Sequence, residues 1–62
     1  MFEELQCVTL TCDIPLHNLQ EDDAGVVVFV HPPNCFDVEF FTPDGDTIDV
    51  VLVSGDDLKL KK

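Results

Sequence analysis

The chain has almost no positive charge. Arginine is absent, and the only lysines are Lys59, Lys61 and Lys62. Residues 1–58 contain all 13 acidic residues and no lysine or arginine, so this stretch carries a formal charge of −13. A field of that sign repels phosphate backbones, which argues against direct nucleic-acid binding. It favours attraction to a basic protein surface.

The chain also lacks the marks of membrane and secreted proteins. No apolar run approaches the roughly 20 residues that span a bilayer. The opening sequence Met1-Phe-Glu-Glu is acidic where a signal peptide is basic. Cysteine occurs an odd number of times, at Cys7, Cys12 and Cys35. We therefore expect a cytoplasmic protein with free thiols, the alternative being a disulfide between Cys7 and Cys12.

Signatures of metal binding and catalysis are missing as well. Neither Cys-x-x-Cys nor His-x-x-x-His occurs, so we expect no metal site and no cofactor. The segment Asp44–Asp49 superficially resembles a calcium loop, but its glycine comes too early. Glu39 and Asp49 could act as an acid–base pair only in a desolvated cleft, and we expect them on a solvent-exposed outer sheet face instead. A Cys–His nucleophile pair would need a pocket, for which a domain this small has little room. We expect a protein that is not an enzyme.

The composition is nevertheless that of a folded domain. Hydrophobic residues make up 45% of the 62 residues, which argues against intrinsic disorder. The length suffices for one domain over residues 1–62. A chain of this size buries only about 60% of the surface that it exposes when unfolded, so we expect modest stability.

Short runs of β-forming residues recur along the chain, and no extended helical pattern is present. Five strands are predicted, at residues 6–11, 26–30, 36–41, 47–53 and 58–61. The first connection, 12–24, is long, the others are short, and residues 54–58 predict one 3₁₀ turn. This order predicts an all-β fold, a small, partly open SH3-like barrel of five strands with a long first loop.

The third and fourth strands predict a hairpin. Pro43-Asp44-Gly45 reads as a three-residue turn that places Thr42 opposite Asp46. One face would then be apolar and point inward, with the pairs Phe36–Leu52, Val38–Val50 and Phe40–Ile48. The other face would place Glu39 opposite Asp49, with Asp37 beside them. Like charges opposite each other are unfavourable, so we interpret this stripe as a surface for a cationic partner.

A second set of apolar residues falls outside this inward face. In the second strand, Val26, Val28 and Val30 are predicted on one side of the sheet, and Val27 and Phe29 on the opposite side. The apolar residues predicted on that opposite side of the whole sheet, here the second apolar face, are Val27, Phe29, Phe41, Val51 and Val53. If exposed, these side chains form an apolar patch rimmed by charge, which is typical of a protein interface. The alternative is a second small core beneath the long loop.

Several segments together resemble a known family of small bacterial proteins. They are Asp13-Ile-Pro-Leu-His-Asn-Leu19, Ala24-Gly-Val-Val-Val-Phe-Val30, Phe36-Asp-Val-Glu-Phe40, Asp44-Gly-Asp-Thr47 and Asp57-Leu58. Through these segments the chain resembles the family called "domain of unknown function 4926". The resemblance implies a small stand-alone β-barrel without established catalytic residues. It also implies the antidote half of a toxin–antitoxin or immunity pair.

These observations lead to one functional hypothesis and one alternative. We expect a small acidic protein-binding module of antitoxin or immunity type, which binds and neutralises a basic protein. Its partner-binding residues would be Asp37, Glu39, Asp49, Phe41, Phe29, Val27 and Val51. The alternative is a homodimeric or accessory structural subunit without an inhibitory role, assembled through the second apolar face. In neither case do we expect a nucleic-acid or membrane partner.

Overall fold

The protein is built from one antiparallel sheet. The computed structural model describes residues 2–42 and 44–61, and for Ile48 the backbone only. The strands are β1 (Cys7–Leu10), β2 (Ala24–His31), β3 (Cys35–Phe41), β4 (Thr47–Ser54) and β5 (Leu58–Leu60). Short 3₁₀ turns occupy Pro15–His17 and Gly55–Asp57. The predicted all-β class is confirmed, although the prediction treated the first of these turns as plain loop.

The strand order is β4-β3-β2-β1-β5. A meander of three strands, followed by a 3₁₀ turn and a last strand that returns to β1, agrees with the predicted SH3-like arrangement. Over the described residues, no ladder joins β4 to β5, so the sheet remains open there. Both halves of the sheet nevertheless share one core, which shows that the sheet curls over its own inner face.

The core consists of β-branched, leucine and phenylalanine side chains from all five strands and the long loop. Two rows cross the sheet, Val27–Val38–Val51 and Val30–Phe36–Val53. The fully or nearly fully buried members are Val8, Leu10, Leu19, Val27, Phe36, Val38, Phe40, Val51, Val53 and Leu58. The strict alternation of β3 buries every second residue, as the sequence predicted.

The turn of the β3–β4 hairpin forms as predicted. The Thr42 N–H donates to the Asp46 carbonyl oxygen at 2.7 Å, so these two residues face each other. Gly45 has a φ of +93°, which is the conformation that the turn requires of a glycine. Pro43, the predicted first residue of the turn, lies outside the described residues.

The register beyond that turn differs from the prediction. Phe41 pairs with Thr47 and Phe40 pairs with Asp49, so Ile48 is an extra residue in a β-bulge. Every later pair is shifted by one position along β4. The predicted pairs Phe36–Leu52, Val38–Val50 and Phe40–Ile48 are therefore wrong.

This shift exchanges the two faces of β4. Val51 and Val53 are only 4% and 3% exposed and belong to the core, whereas Val50 and Leu52 are 50% and 61% exposed. Because side chains alternate with a period of two, one inserted residue turns the whole remaining strand over. The prediction that Val50 and Leu52 point inward was wrong.

A second irregularity lies in β2. Val27 pairs with Val38 and Phe29 pairs with Asp37, so Val28 is an extra residue in a bulge. Val27 is fully buried, whereas Phe29 is 52% exposed. The prediction that these two side chains share a face was wrong, because the bulge between them reverses the alternation.

The long first loop packs on the core through Leu19, which is buried, and Ile14, which is partly buried. Leu19 is buried and forms a two-way backbone bridge with Ile14, at 2.9 and 3.1 Å. Leu16 lies in the 3₁₀ turn and is exposed. Beyond Leu19, the loop returns to β1, where the Asp22 N–H donates to the Leu10 carbonyl oxygen at 2.9 Å.

Candidate functional site

The side of β2, β3 and β4 that points away from the core, here called the outer face, combines carboxylates with exposed apolar side chains. Two rows of residues cross it, Phe29–Asp37–Leu52 and Val26–Glu39–Val50. Each acidic residue of β3 therefore lies between apolar residues of both neighbouring strands. Phe29, Val50 and Leu52 are each at least half exposed. The outer face therefore presents apolar surface and negative charge together.

The predicted opposition of Glu39 and Asp49 does not occur. Glu39 lies opposite Val50, and Asp49 lies opposite Phe40, because of the bulge at Ile48. The Glu39 carboxylate accepts a hydrogen bond from the Thr47 hydroxyl at 3.1 Å. The interpretation of this stripe as a like-charge pair under strain was therefore wrong, although Glu39 and Asp37 do share the outer face.

The negative charge of the outer face is only partly compensated. Asp37 Oδ2 lies 2.9 Å from His31 Nε2, a hydrogen bond that becomes an ion pair when His31 is protonated. The Phe29 ring packs edge-on against the same imidazole, with ring centroids 4.8 Å apart. Within residues 2–42 and 44–61, no lysine forms an ion pair with Asp37 or Glu39. Lys59 forms its ion pair elsewhere, with Nζ 3.2 Å from Asp22 Oδ1.

The structure separates the predicted partner-binding residues into three groups. Asp37, Glu39 and Phe29 share the outer face. Val27 and Val51 are buried in the core and unavailable to a partner, so their predicted exposure is wrong. The remaining two, Asp49 and Phe41, lie at the margin of the outer face. Asp49 is exposed beside the bulge, and Phe41 is half-buried.

Sequence reasoning missed Val50 and Leu52 as surface residues. The run Val50-Val-Leu-Val53 is apolar at every position, so its composition does not show which alternate pair is buried. Only the position of the bulge decides between the two choices. Exposed apolar residues on a short acidic domain are a stronger sign of an interface than its net charge alone.

No arrangement typical of a metal centre accompanies this face. In the part of the chain that the structure describes, no three His, Cys, Asp or Glu side chains are grouped so as to hold a metal ion. Cys7, Cys12 and Cys35 are free. Cys12 lies beside Asp57, away from the outer face.

Cys12 should be a slow nucleophile. Local desolvation first, and then the carboxylate of Asp57, raise the pKa of its thiol above the usual value. A raised pKa means less thiolate at neutral pH and slower alkylation. Asp57→Asn should lower the pKa and accelerate the reaction of Cys12 with iodoacetamide at pH 8, measured by peptide mass spectrometry. Cys7 in the same molecule is the control, and an unchanged Cys12 rate would contradict the role of Asp57.

The fold and this face define a small all-β domain with an acidic and apolar sheet surface. The helical segments of the described residues are all too short to cross a membrane. Residues 4–60 match the family model "Domain of unknown function (DUF4926)", so the chain belongs to that family, as its sequence resemblance indicated. No curated protein and no solved structure gives a significant match.

Proposed function

We propose that this protein is an acidic protein-binding module that docks on a basic protein through its outer face. The observation that carries the proposal is the alternation of carboxylates and apolar side chains in the rows Phe29–Asp37–Leu52 and Val26–Glu39–Val50. Of these apolar side chains, Phe29, Val50 and Leu52 are exposed and Val26 is half-buried. Apolar side chains supply the area that a partner can remove from water. Asp37 and Glu39, with which no described lysine forms an ion pair, supply attraction and orientation.

The charge distribution supports a basic partner in particular. A formal charge of −10 on a chain of 62 residues accelerates association with a positive surface. Much of this attraction acts at long range, and salt screens it, with a Debye length of about 8 Å at physiological ionic strength. The complex should therefore form faster and hold more tightly at low salt than at high salt.

We further propose that binding neutralises the partner, as an antitoxin or immunity protein does, in the cytoplasm. The features that favour this role are the small size, the acidic surface and the family resemblance. Free cysteines favour a reducing compartment. The role requires no catalytic group of the protein's own, since covering a functional surface of the partner is sufficient.

The alternative is a homodimer or accessory subunit, and the exposed Val50 and Leu52 are the observation that favours it. Two copies that meet at the outer face would also bring Asp37 and Glu39 of each copy together. That like-charge contact opposes self-association at low salt. Sedimentation of the isolated protein decides the question, because a stable dimer at low salt would favour the alternative.

Neutralising the two outer-face carboxylates should weaken partner binding. The protein carrying Asp37→Asn and Glu39→Gln is compared with the wild type as bait in the native host, and the retained basic protein is titrated calorimetrically. We expect affinity to fall about tenfold or more, because both groups lie within the proposed interface. The dependence of affinity on salt should also become shallower.

The matched control carries the same change of charge in segments outside the sheet, Glu4→Gln with Glu21→Gln. Both residues are exposed, and we expect affinity close to that of the wild type. Thermal unfolding by circular dichroism verifies that neither double variant loses the fold. Equal weakening by the two variants would show that net charge, not the outer face, governs binding, and affinity independent of salt would contradict the proposal.

A further inference from the structure

We infer that the free edge of β4 receives an extended basic segment of the partner by β-strand addition. This inference rests on the proposed function and specifies how the partner would bind. It follows from the place of β4 at the end of the sheet order, where β3 is its one neighbour among the described strands. An edge strand presents unpaired backbone donors and acceptors, which can pair with another chain.

The backbone direction of β4 identifies the groups that face this edge. The Val50 N–H donates to the Asp49 carboxylate of its own strand at 2.8 Å, and so points away from β3. Antiparallel pairs alternate between hydrogen-bonded and non-hydrogen-bonded, so Leu52, two residues on, is oriented in the same way. The N–H and C=O groups of Leu52 therefore face the edge, and no described residue outside β4 forms a backbone hydrogen bond there.

The same two residues carry the exposed apolar side chains of β4. Val50 and Leu52 project to the outer face, so an added strand would lie beside them and cover part of both side chains. It would also extend the rows that contain Asp37 and Glu39. Backbone pairing and side-chain contact thus occur on one surface.

The charge at this edge selects the chemistry of the added strand. Asp44 and Asp46 lie in the turn before β4, and Asp49 caps the Val50 N–H. The Asp49 carboxylate must leave that N–H when a strand is added, and a lysine or arginine of the incoming segment can accept it as a partner. A second copy of β4 would bring further carboxylates instead. We therefore assign the edge to an extended segment that alternates basic and apolar residues.

The test uses a capped synthetic peptide of alternating lysine and valine, about six residues long, the length of an average strand. In a matched peptide, the backbone nitrogens whose N–H groups would point towards β4, those of every second residue, are methylated. It has the same charge and side chains but lacks those N–H donors. We expect the unmodified peptide to bind about tenfold or more tightly at low salt than the methylated one. It should also slow hydrogen exchange of the Leu52 amide about tenfold or more.

Two variants examine the same contact from the protein side. Leu52→Pro removes the N–H that faces the edge, and proline is tolerated in edge strands at such positions. Leu52→Ala shortens the side chain but keeps the N–H. We expect the proline variant to lose at least as much peptide affinity as N-methylation causes, and the alanine variant to lose less. If the proline variant does not fold, the comparison of the two peptides decides alone.

The outcomes separate this inference from the proposed function. If both peptides bind equally and the Leu52 amide exchanges at its free rate, strand addition is wrong while docking on a basic partner stands. If neither peptide binds, and the wild-type bait retains no basic protein at low salt, both proposals are wrong. If neither peptide binds but a basic partner does, the edge of β4 does not receive the basic strand.

Discussion

Phe36→Ala should remove about 3–5 kcal/mol from the free energy of unfolding, the usual cost of emptying a buried phenylalanine site. A domain of this length holds only about 3–9 kcal/mol in total, so the substitution should remove at least about a third of its stability. Phe36 is fully buried, pairs with Val30 and Val53, and meets the Phe2 ring edge-on at 5.4 Å. Urea unfolding followed by circular dichroism measures the loss, since the chain contains no tryptophan or tyrosine.

The control for this experiment is the same substitution on the other side of the sheet. Phe29 is half exposed on the outer face, so Phe29→Ala should lower stability by no more than about 1 kcal/mol. It should, however, weaken binding of the partner. Similar losses of stability for Phe29→Ala and Phe36→Ala would show that the faces of β2 and β3 are assigned wrongly.

Gly25→Ala should have the next largest effect on folding, about 3 kcal/mol, at the upper end of the cost of overpacking. A Cβ atom at this position would lie 2.6 Å from Val38 Cγ1 and 2.8 Å from the Glu39 carbonyl oxygen. The valine methyl can move, but the carbonyl belongs to the paired backbone of β3. The measurement is the midpoint and slope of urea unfolding. An unchanged slope shows that the variant and the wild type expose the same surface on unfolding, so that the shift in midpoint reports stability.

Gly45→Ala is the matched control, because the same methyl group is added where nothing lies within 4 Å. Its cost arises from the φ of +93° alone and should be about 1 kcal/mol. If the two alanine variants were equally stable, the close approach of β2 to β3 at Gly25 would not limit packing.

Strand positions, strand number and the order of elements could be predicted from local sequence. Alternation in Phe36–Phe41, the prolines after His31 and the turn at Thr42–Asp46 each mark an element through local chemistry. The first 3₁₀ turn was not predicted, because Ile14-Pro15 disfavours helix and three helical residues leave no periodic pattern. Local rules thus located the strands to within about two residues of their bounds.

The faces of β2 and β4 could not be predicted in the same way. Each strand is apolar at consecutive positions, and each contains one extra residue, Val28 or Ile48. Where both sets of alternate residues are apolar, composition does not reveal an inserted residue, and packing of the complete sheet chooses the register. For this reason Val50 and Leu52 replaced Val27 and Val51 among the candidate site residues. Asp37, Glu39 and Phe29 remained because β3 contains no such insertion and because the bulge in β2 falls before Phe29.

The pairing of β5 with β1 has a consequence for how the molecule assembles. The meander from β2 to β4 consists of neighbours in sequence, whereas Thr9 meets Lys59 across most of the chain. Bringing these distant segments together costs more chain entropy than forming a hairpin between consecutive strands. The contacts that offset this cost come from only three residues of β5. We therefore expect the ladder between β1 and β5 to form last during folding and to separate first when the protein is destabilised. Mild denaturant should detach the C-terminal strand while the central hairpins remain intact.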